Sequence, residues 1–265
     1  MAPRPSPERP LARQDRLIEI ADLVLEVGAI PLDRLAERFG VSTMTIYRDL
    51  AELEEGGVLV RSRGMVTARA TSLNETTVAF RLARNTEVKQ ALSARAAQLV
   101  RSGQTIMIDD SSTVQGVVAG VAPKAPLTLI TNAQVIAREA GAKQGVRLFV
   151  VGGRYRSSLD SFYGSSTIAV LGTLCADLCF LSITGIENGR LYHPYEENVE
   201  VKRAMMRSAA RTVLVVDSSK FGHRSTHLLG EVSDFDVVVV DDGIPAAELA
   251  LLRESGVQVE LVPRP

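Results

Sequence analysis

Apolar residues recur at helical spacing through the N-terminal quarter of the chain. Leu17, Ile20, Ala21 and Val24 share one face of a helix that ends near Gly28. Leu32, Leu35, Ala36 and Phe39 repeat the pattern in a shorter helix. Gly40 follows directly and suits the left-handed position that closes a helix. Only Val41 and Ser42 then separate this helix from a third, on which Ile46, Leu50 and Leu53 line one face. Ser42 is placed to cap that third helix, because its hydroxyl can accept a free N–H of the first turn. The helix runs to about Glu55, and Gly56-Gly57 stops it. Two short extended runs flank Gly64 in residues 58–68 and read as a β-hairpin. Two helices joined by a short glycine-containing turn, followed by a hairpin, predict a winged helix-turn-helix over residues 13–70.

Residues 71–85 are polar and threonine-rich and read as a linker. Val88, Leu92, Ala96 and Leu99 then mark a helix stopped by Gly103. From there apolar runs fall at 105–108, 127–130, 147–151, 177–183, 212–216, 236–240 and 257–262. Helix-compatible stretches lie between most of them, for example 132–140, 199–210 and 246–254. Strands apolar on both sides, alternating with helices, predict a mostly parallel α/β sheet covered on both faces, over residues 86–265.

A length of 265 residues fits two such domains, and 46% hydrophobic with 23% charged residues is a globular composition. The net charge of -1 gives no global field that attracts nucleic acid, so any DNA affinity must come from local arginine clusters. Arg61 and Arg63 sit near the hairpin tip with Arg69 just past it, and Arg4, Arg9, Arg13 and Arg16 form a second cluster on a proline-rich arm. Between them, Ser42, Thr43, Met44, Thr45, Tyr47 and Arg48 occupy the N-terminal part of the third helix off its apolar face. A recognition helix presents that part to base edges, and flanking arginines position it on phosphates. Residues 1–10 have no apolar segment of a secretory signal, and no run reaches the length of a membrane span, so a cytoplasmic protein without a membrane partner is expected. Cys175 and Cys179 have no second Cys/His pair at metal spacing, and His193, His223 and His227 are scattered. Two reduced core thiols, no metal and no cofactor are expected.

Ligands of open parallel sheets bind beyond the carboxyl ends of the strands. The loops there are polar: Asp109-Asp110-Ser111-Ser112-Thr113, Thr131-Asn132, Gly152-Gly153-Arg154, Thr184-Gly185 and Asp217-Ser218-Ser219-Lys220. Hydroxyls and backbone N–H groups at helix starts hold phosphates, Lys220 adds a cation, and Asp109 or Asp217 can accept sugar hydroxyls. Several such loops at one edge point to a polar small-molecule site.

The stretches Leu35-Ala36-Glu37-Arg38-Phe39-Gly40-Val41-Ser42 and Thr45-Ile46-Tyr47-Arg48-Asp49-Leu50-Ala51-Glu52-Leu53-Glu54 resemble the DNA-binding domain of the DeoR family of bacterial sugar-metabolism regulators. Tyr47 stands where that family typically has arginine, and Arg63-Gly64-Met65 where it has His-Gly-Gly. The Asp109–Thr113 loop, Thr131-Asn132, Gly152-Gly153, Gly164, Glu200-Val201-Lys202 and Asp217 through Gly222 resemble the family's effector domain, in order. That domain is similar to ribose-5-phosphate isomerase and glucosamine-6-phosphate deaminase. The resemblance implies a repressor controlled by a phosphorylated sugar, a homo-oligomer (dimer or tetramer) as working form, and Glu200 and Lys202 among the effector residues. The family loop reads Asp-x-Gly-Thr-Thr; here Ser111 replaces the glycine and Asp110 adds a carboxylate, which is unfavourable beside a phosphate unless it points away or meets a cation.

Two further readings stand beside the regulator. One is a sugar-phosphate isomerase with an accessory DNA-binding domain, for which Asp109, Asp217, Glu200 and His193 are acid or base candidates by residue type alone, so none is assigned as catalytic. The other is DNA binding with a ligand-free dimerisation domain. The helix-turn-helix favours a regulator.

Overall fold

The computed structural model describes residues 12–55, 58–68, 81, 82 and 84–265. The expected linker 71–85 falls mostly outside them, as do Gly56-Gly57, Arg69 and the arm carrying Arg4 and Arg9. The chain divides into two compact units, 1–84 and 85–265.

In the first unit the order is α1 (Arg13–Val27), β1 (Ala29–Pro31), α2 (Leu32–Phe39), α3 (Thr43–Glu55), β2 (Leu59–Ser62) and β3 (Met65–Ala68). The periodic apolar residues form one core, in which Ile20, Leu35, Ile46, Leu50 and Val66 are fully buried. Gly40 has φ 60°, and the N–H groups of Gly40 and Val41 return to Glu37 O and Ala36 O at 3.3 and 3.2 Å. A side chain rarely adopts that backbone angle, so glycine here sets the short turn between α2 and α3. The hairpin turns at Arg63-Gly64, both at positive φ (50° and 77°), as a two-residue hairpin turn requires. A third strand, β1, pairs antiparallel with β3, Ile30 opposite Val66. Three residues carry no readable alternation, so the sequence did not announce this strand.

The structure corrects the placement of Arg13 and Arg16. Both belong to α1, not to an arm, and both point at Asp49, which is fully buried in α3. Arg16 Nε donates to Asp49 Oδ2 at 2.7 Å, Arg13 Nε to Oδ1 at 3.4 Å, and Arg13 Nη2 to Glu52 at 2.6 Å. A carboxylate out of water needs such partners, and here they join α1 to α3.

The second unit contains α4 (Thr86–Ala97), β4 (Thr105–Ile108), α5 (Val117–Val121), β5 (Leu127–Thr131), α6 (Gln134–Gly141), β6 (Val146–Val150), β7 (Arg154–Arg156), β8 (Ser161–Tyr163), α7 (Ser165–Leu171), β9 (Ala176–Leu181), β10 (Gly185–Glu187), β11 (Arg190–His193), α8 (Glu196–Arg207), β12 (Ala209–Val216), β13 (His227–Glu231), β14 (Val237–Asp241), α9 (Ala246–Glu254) and β15 (Gln258–Val262). Seven strands form one sheet in the order β15-β14-β12-β9-β4-β5-β6, and every neighbouring pair is parallel. These are the seven apolar runs. On one face Ile106, Ile108, Leu129, Phe180, Val213 and Val239 pack with residues of α4, α5 and α6. Strand β14 is buried at all five positions, which is why its Val-rich run lacks alternation. A hairpin, β7–β8, and an antiparallel sheet, β10-β11-β13, lie outside the main sheet.

Of the two cysteines expected in the core, only Cys179, on β9, is buried; Cys175 is exposed in the turn before that strand. Burial, with the Asp109 carboxylate nearby, pushes the Cys179 thiol well above its ordinary range, which makes it inert.

The Arg16–Asp49 pair generates a stability prediction. Asp49→Ala leaves the Arg16 guanidinium, in a residue only 8% exposed, without its carboxylate. Urea denaturation of the full chain is expected to show the first unit destabilised by roughly 3–5 kcal/mol. Replacing both partners with apolar residues, Arg16→Met with Asp49→Leu, is expected to restore most of that loss.

Candidate functional site

In the first unit, Ser42 caps α3: the Thr45 N–H donates to its Oγ at 3.1 Å, and the two hydroxyls lie 2.9 Å apart. Ser42, Thr43, Met44, Tyr47 and Arg48 are exposed, while Thr45 is half-buried. The face they form lies opposite Ile46, Leu50 and Leu53, all buried. Arg63 is exposed at the wing turn, and the neighbouring Gly64 carbonyl accepts the Leu32 N–H at 3.0 Å, tying the wing to the start of α2. Arg61 is placed differently from Arg63. Its Nε donates to Glu54 Oε2 at 2.7 Å, its backbone N–H to Glu54 Oε1 at 2.6 Å, and its Nη1 to Tyr47 O at 3.3 Å. Its guanidinium also lies 5.5 Å from the Tyr47 ring centroid. The bond to Arg61 holds the Glu54 carboxyl below its ordinary range. Arg61 therefore braces α3 against β2, while Arg48 and Arg63 carry the outward charge of the two elements.

In the second unit, strand order places the predicted loops in a row. Asp217 follows β12, Ser182 follows β9, Asp109 and Asp110 follow β4, Asn132 follows β5, and Gly152-Gly153 follow β6. From β4 the chain builds β5 and β6 to one side, then returns to build β9 on the other. The switch point lies between β4 and β9, where open sheets receive their ligands.

At that point stands a buried charge cluster. The Lys202 ammonium, from α8, contacts Asp109 Oδ2, Asp110 Oδ1 (3.4 Å) and Ser111 Oγ (3.0 Å), and all three charged residues are buried. Asp109 also accepts the Ser182 N–H at 3.2 Å, the Ser111 N–H at 2.9 Å and the Ser111 hydroxyl at 3.0 Å. Asp110 Oδ2 accepts from Tyr163 Oη at 2.6 Å and Asn198 Nδ2 at 3.0 Å. The extra carboxylate thus meets a cation and two donors. Burial pushes Asp109 above the ordinary carboxylate range, Lys202 pulls it back, and Asp110 raises it again. Beside this cluster Lys89, from α4, donates to Ser112 Oγ at 3.0 Å, and Ser93 Oγ to Thr113 O at 2.7 Å.

The other predicted loops are ordered by local bonds. Thr131 Oγ1 accepts the Ala133 N–H at 3.0 Å, and Asn132 Nδ2 donates to Phe162 O at 3.0 Å. Gly153 has φ 152°, and a Cβ there would collide with Thr167 Oγ1 and lie 2.7 Å from Tyr163 O. Gly185 opens β10 against the His223 backbone. Asp217 accepts from Ser219 N–H at 3.1 Å and Asn85 Nδ2 at 3.3 Å. Lys220 is half-buried in the following turn, and no described residue pairs with its amine.

Glu200 does not join this group. It is exposed on α8, and two residues along a helix turn a side chain to the opposite side from Lys202. Asn198, four residues before Lys202, shares its face and stands in the site instead. No local pattern in the sequence marks Tyr163 or Lys89; only the helical spacing of Asn198 and Lys202 carries a signal. His193 is buried, with Nδ1 accepting the Tyr195 N–H at 3.1 Å. Among the described residues, the buried Asn132 Oδ1, Ser182 Oγ and Asn198 Oδ1 at the edge have no hydrogen-bond partner. Each costs about 1–3 kcal/mol if left so, which a ligand bearing hydroxyl donors would recover. Among the described residues no group of three or more His, Cys, Asp or Glu side chains is placed to hold a metal ion, and no helix is long and apolar enough to cross a membrane.

Because the folded value of Asp109 lies above the unfolded one, the native state holds its proton more tightly. Its contribution to stability is full below the ordinary carboxylate pKa of 3.8 and is lost as pH rises through the raised folded value. The difference in stability between wild type and Asp109→Asn, followed by urea denaturation across that window, is expected to shift against the wild type as pH rises. A pH-independent difference would show that Asp109 titrates alike in both states.

Comparison with known proteins adds two family matches. Residues 16–72 match the DeoR-like helix-turn-helix domain, and residues 84–242 match the DeoR C terminal sensor domain. The glycerol-3-phosphate regulon repressor of Escherichia coli K12 is 31% identical over 243 residues, covering 91% of this chain and 96% of that protein. The transcriptional repressor GlcR of Bacillus subtilis is 28% identical over 247 residues, 93% of this chain and 95% of GlcR. Among solved structures, ribose 5-phosphate isomerase A of Methanocaldococcus jannaschii aligns with a TM-score of 0.39 at 16% identity, over 52% of this chain and 55% of that one.

Proposed function

We propose a function from the premise that this chain belongs to the DeoR family of transcription regulators. The chain is a DNA-binding transcription regulator whose first unit holds an operator and whose second senses a small molecule. Its activity is repression of sugar-metabolism genes, relieved when a phosphorylated sugar occupies the carboxyl edge of the parallel sheet. Relatives named as repressors, including one of a glycerol-3-phosphate regulon, support that reading. The observation that carries it is the pairing, in one chain, of a capped helix with an exposed polar N-terminal face and a sheet edge where the buried Asn132, Ser182 and Asn198 oxygens have no partner among the described residues.

The edge divides the ligand by chemistry. Lys202 is compensated by two carboxylates and offers little net charge to an anion. Lys220, whose amine has no carboxylate partner among the described residues, takes the phosphate, while Gly152-Gly153, after β6 and four strands from β12, bound the far end of the edge. Asn132, Ser182 and Asn198 take the hydroxyls. Asp109, Ser111, Ser112, Thr113, Thr131, Thr184, Gly185 and Asp217 complete the loops of the proposed site. An isomerase reading needs a positioned acid or base free to act. Asp109 and Asp110 are instead engaged by donors from the loops after β4 and β9, from β8 and from α8, which supports sensing over turnover. The working form is a homo-oligomer, since a dimer matches two operator half-sites. The effector acts by preferring one arrangement of that oligomer.

Arg48→Ala is expected to weaken operator binding in a gel-shift titration with the fold intact. A loss of about 1–3 kcal/mol confined to one operator position marks a bidentate guanine contact. A uniform loss with a shallower salt slope marks a phosphate contact. Lys220→Ala is expected to keep its melting temperature and operator affinity and to lose its response to sugar phosphates. A panel of triose, pentose and hexose phosphates that neither raises the wild-type melting temperature nor alters operator binding would refute the assigned effector class.

A further inference from the structure

Two large apolar side chains stand on the outward face of α3. Met44 is 63% exposed and Tyr47 is 47% exposed, while every other apolar side chain of α3 from Ile46 to Leu53 that faces inward is buried. Met44, Tyr47 and Arg48 fall within one arc of the helix, because three and four residues each bring the chain back to the same side. Arg48 and Arg63 are exposed nearby in the unit, and no described residue pairs with either guanidinium. The surface is therefore an apolar spot accompanied by uncompensated positive charge. The major groove of DNA has the matching character: its walls are phosphates, and its one apolar group is the 5-methyl of thymine. A protein partner would match the apolar spot but not the unpaired arginines.

The second observation concerns how Tyr47 is held. Arg61 donates to the Tyr47 carbonyl and lies over its ring, and Glu54 accepts from the Arg61 Nε and backbone N–H. Glu54 is seven residues along α3 from Tyr47, so the bracket runs along the helix itself. One face of the ring is covered by a guanidinium that is already engaged by a carboxylate. The side chain is 47% exposed, so part of the ring stays open to a ligand. A cation over an aromatic face is attracted by the ring's quadrupole, which favours one ring orientation.

We infer that Met44 and Tyr47 read thymine 5-methyl groups in the operator, and that Arg61, held by Glu54, is a positioning residue for Tyr47 and does not itself touch DNA. This rests on the operator-binding reading above and specifies the bases it recognises. Met44 suits the role because an unbranched thioether adapts to an irregular apolar surface. Tyr47 suits it because its orientation is set before DNA arrives.

The test uses the full-length protein and DNA alone. Duplexes are selected from a random pool, and each thymine of the enriched site is replaced in turn by uracil, which removes only the methyl group. Wild-type affinity is expected to fall about four-fold at one or two positions, the worth of burying one methyl. Met44→Ala is expected to abolish the effect at one position and Tyr47→Ala at another. Arg61→Ala is expected to reduce the effect at the Tyr47 position while leaving the salt slope of binding unchanged. If Arg61→Ala makes the slope shallower by about one unit, Arg61 contacts a phosphate and its positioning role is overturned. Enriched sites whose wild-type affinity ignores every thymine methyl overturn the inference and leave the operator reading standing. A pool that yields no enriched sequence overturns the operator reading itself. The uracil comparison on the wild-type protein requires no variant, so a substitution that fails to fold does not blunt it.

Discussion

A lysine ammonium buried between two carboxylates holds the carboxyl edge of the parallel sheet together. Lys202 comes from α8, Asp109 and Asp110 from the loop after β4. The same carboxylates accept from Ser182 after β9, from Tyr163 at the end of β8 and from Asn198 in the first turn of α8. Removing an ion from water costs several kcal/mol, and the interior repays this only when the remaining lone pairs and protons are also satisfied. Here the cluster satisfies them by drawing elements from across the domain to one point. The β7–β8 hairpin, outside the main sheet, is tied to the cluster through Tyr163 and, separately, to the end of β5 through Asn132 and Ala133.

The same physics acts on a smaller scale in the reading unit. Asp49 is buried in α3 and neutralised from α1; Glu54 is tied to β2 through Arg61. One pair fixes α3 to the helix behind it, the other to the wing. Its apolar face is buried against the core, and these polar ties set its position along that core. What remains outward is the stretch from Ser42 to Arg48. A helix that reads bases needs such fixing, because a loss of register displaces every contact at once.

The two charge networks also separate arginines that composition treats alike. Arg13, Arg16 and Arg61 each have a carboxylate partner, whereas among the described residues Arg48 and Arg63 have none. A cation already neutralised inside the domain contributes little to the attraction of a phosphate backbone. Similarly, Glu200 and Lys202 are close in sequence and on opposite sides of α8, and only Lys202 reaches the site. Asn198 and Tyr163 lie 88 and 53 residues from the Asp110 they bind.

The chain alone determined its helix-turn-helix and wing, all seven strands of the parallel sheet, and which loops gather at its carboxyl edge. Those follow from local rules: the period of apolar residues, a serine at a helix start, glycines where φ must be positive, and the alternation that forces a parallel sheet. Gly40 and Ser42 act within a few residues of themselves, so a reader of the sequence sees the whole cause. The tertiary structure decided which charges meet. It paired Arg16 with Asp49, gave Arg61 to Glu54, placed Lys202 between Asp109 and Asp110, and gave Arg48, Arg63 and Lys220 no carboxylate among the described residues. It also added β1, the β7–β8 hairpin and the β10-β11-β13 sheet, whose segments are mostly too short to show a period. An ion pair depends on the distance between two side chains and on how much water remains around them. Neither quantity exists until the chain has folded.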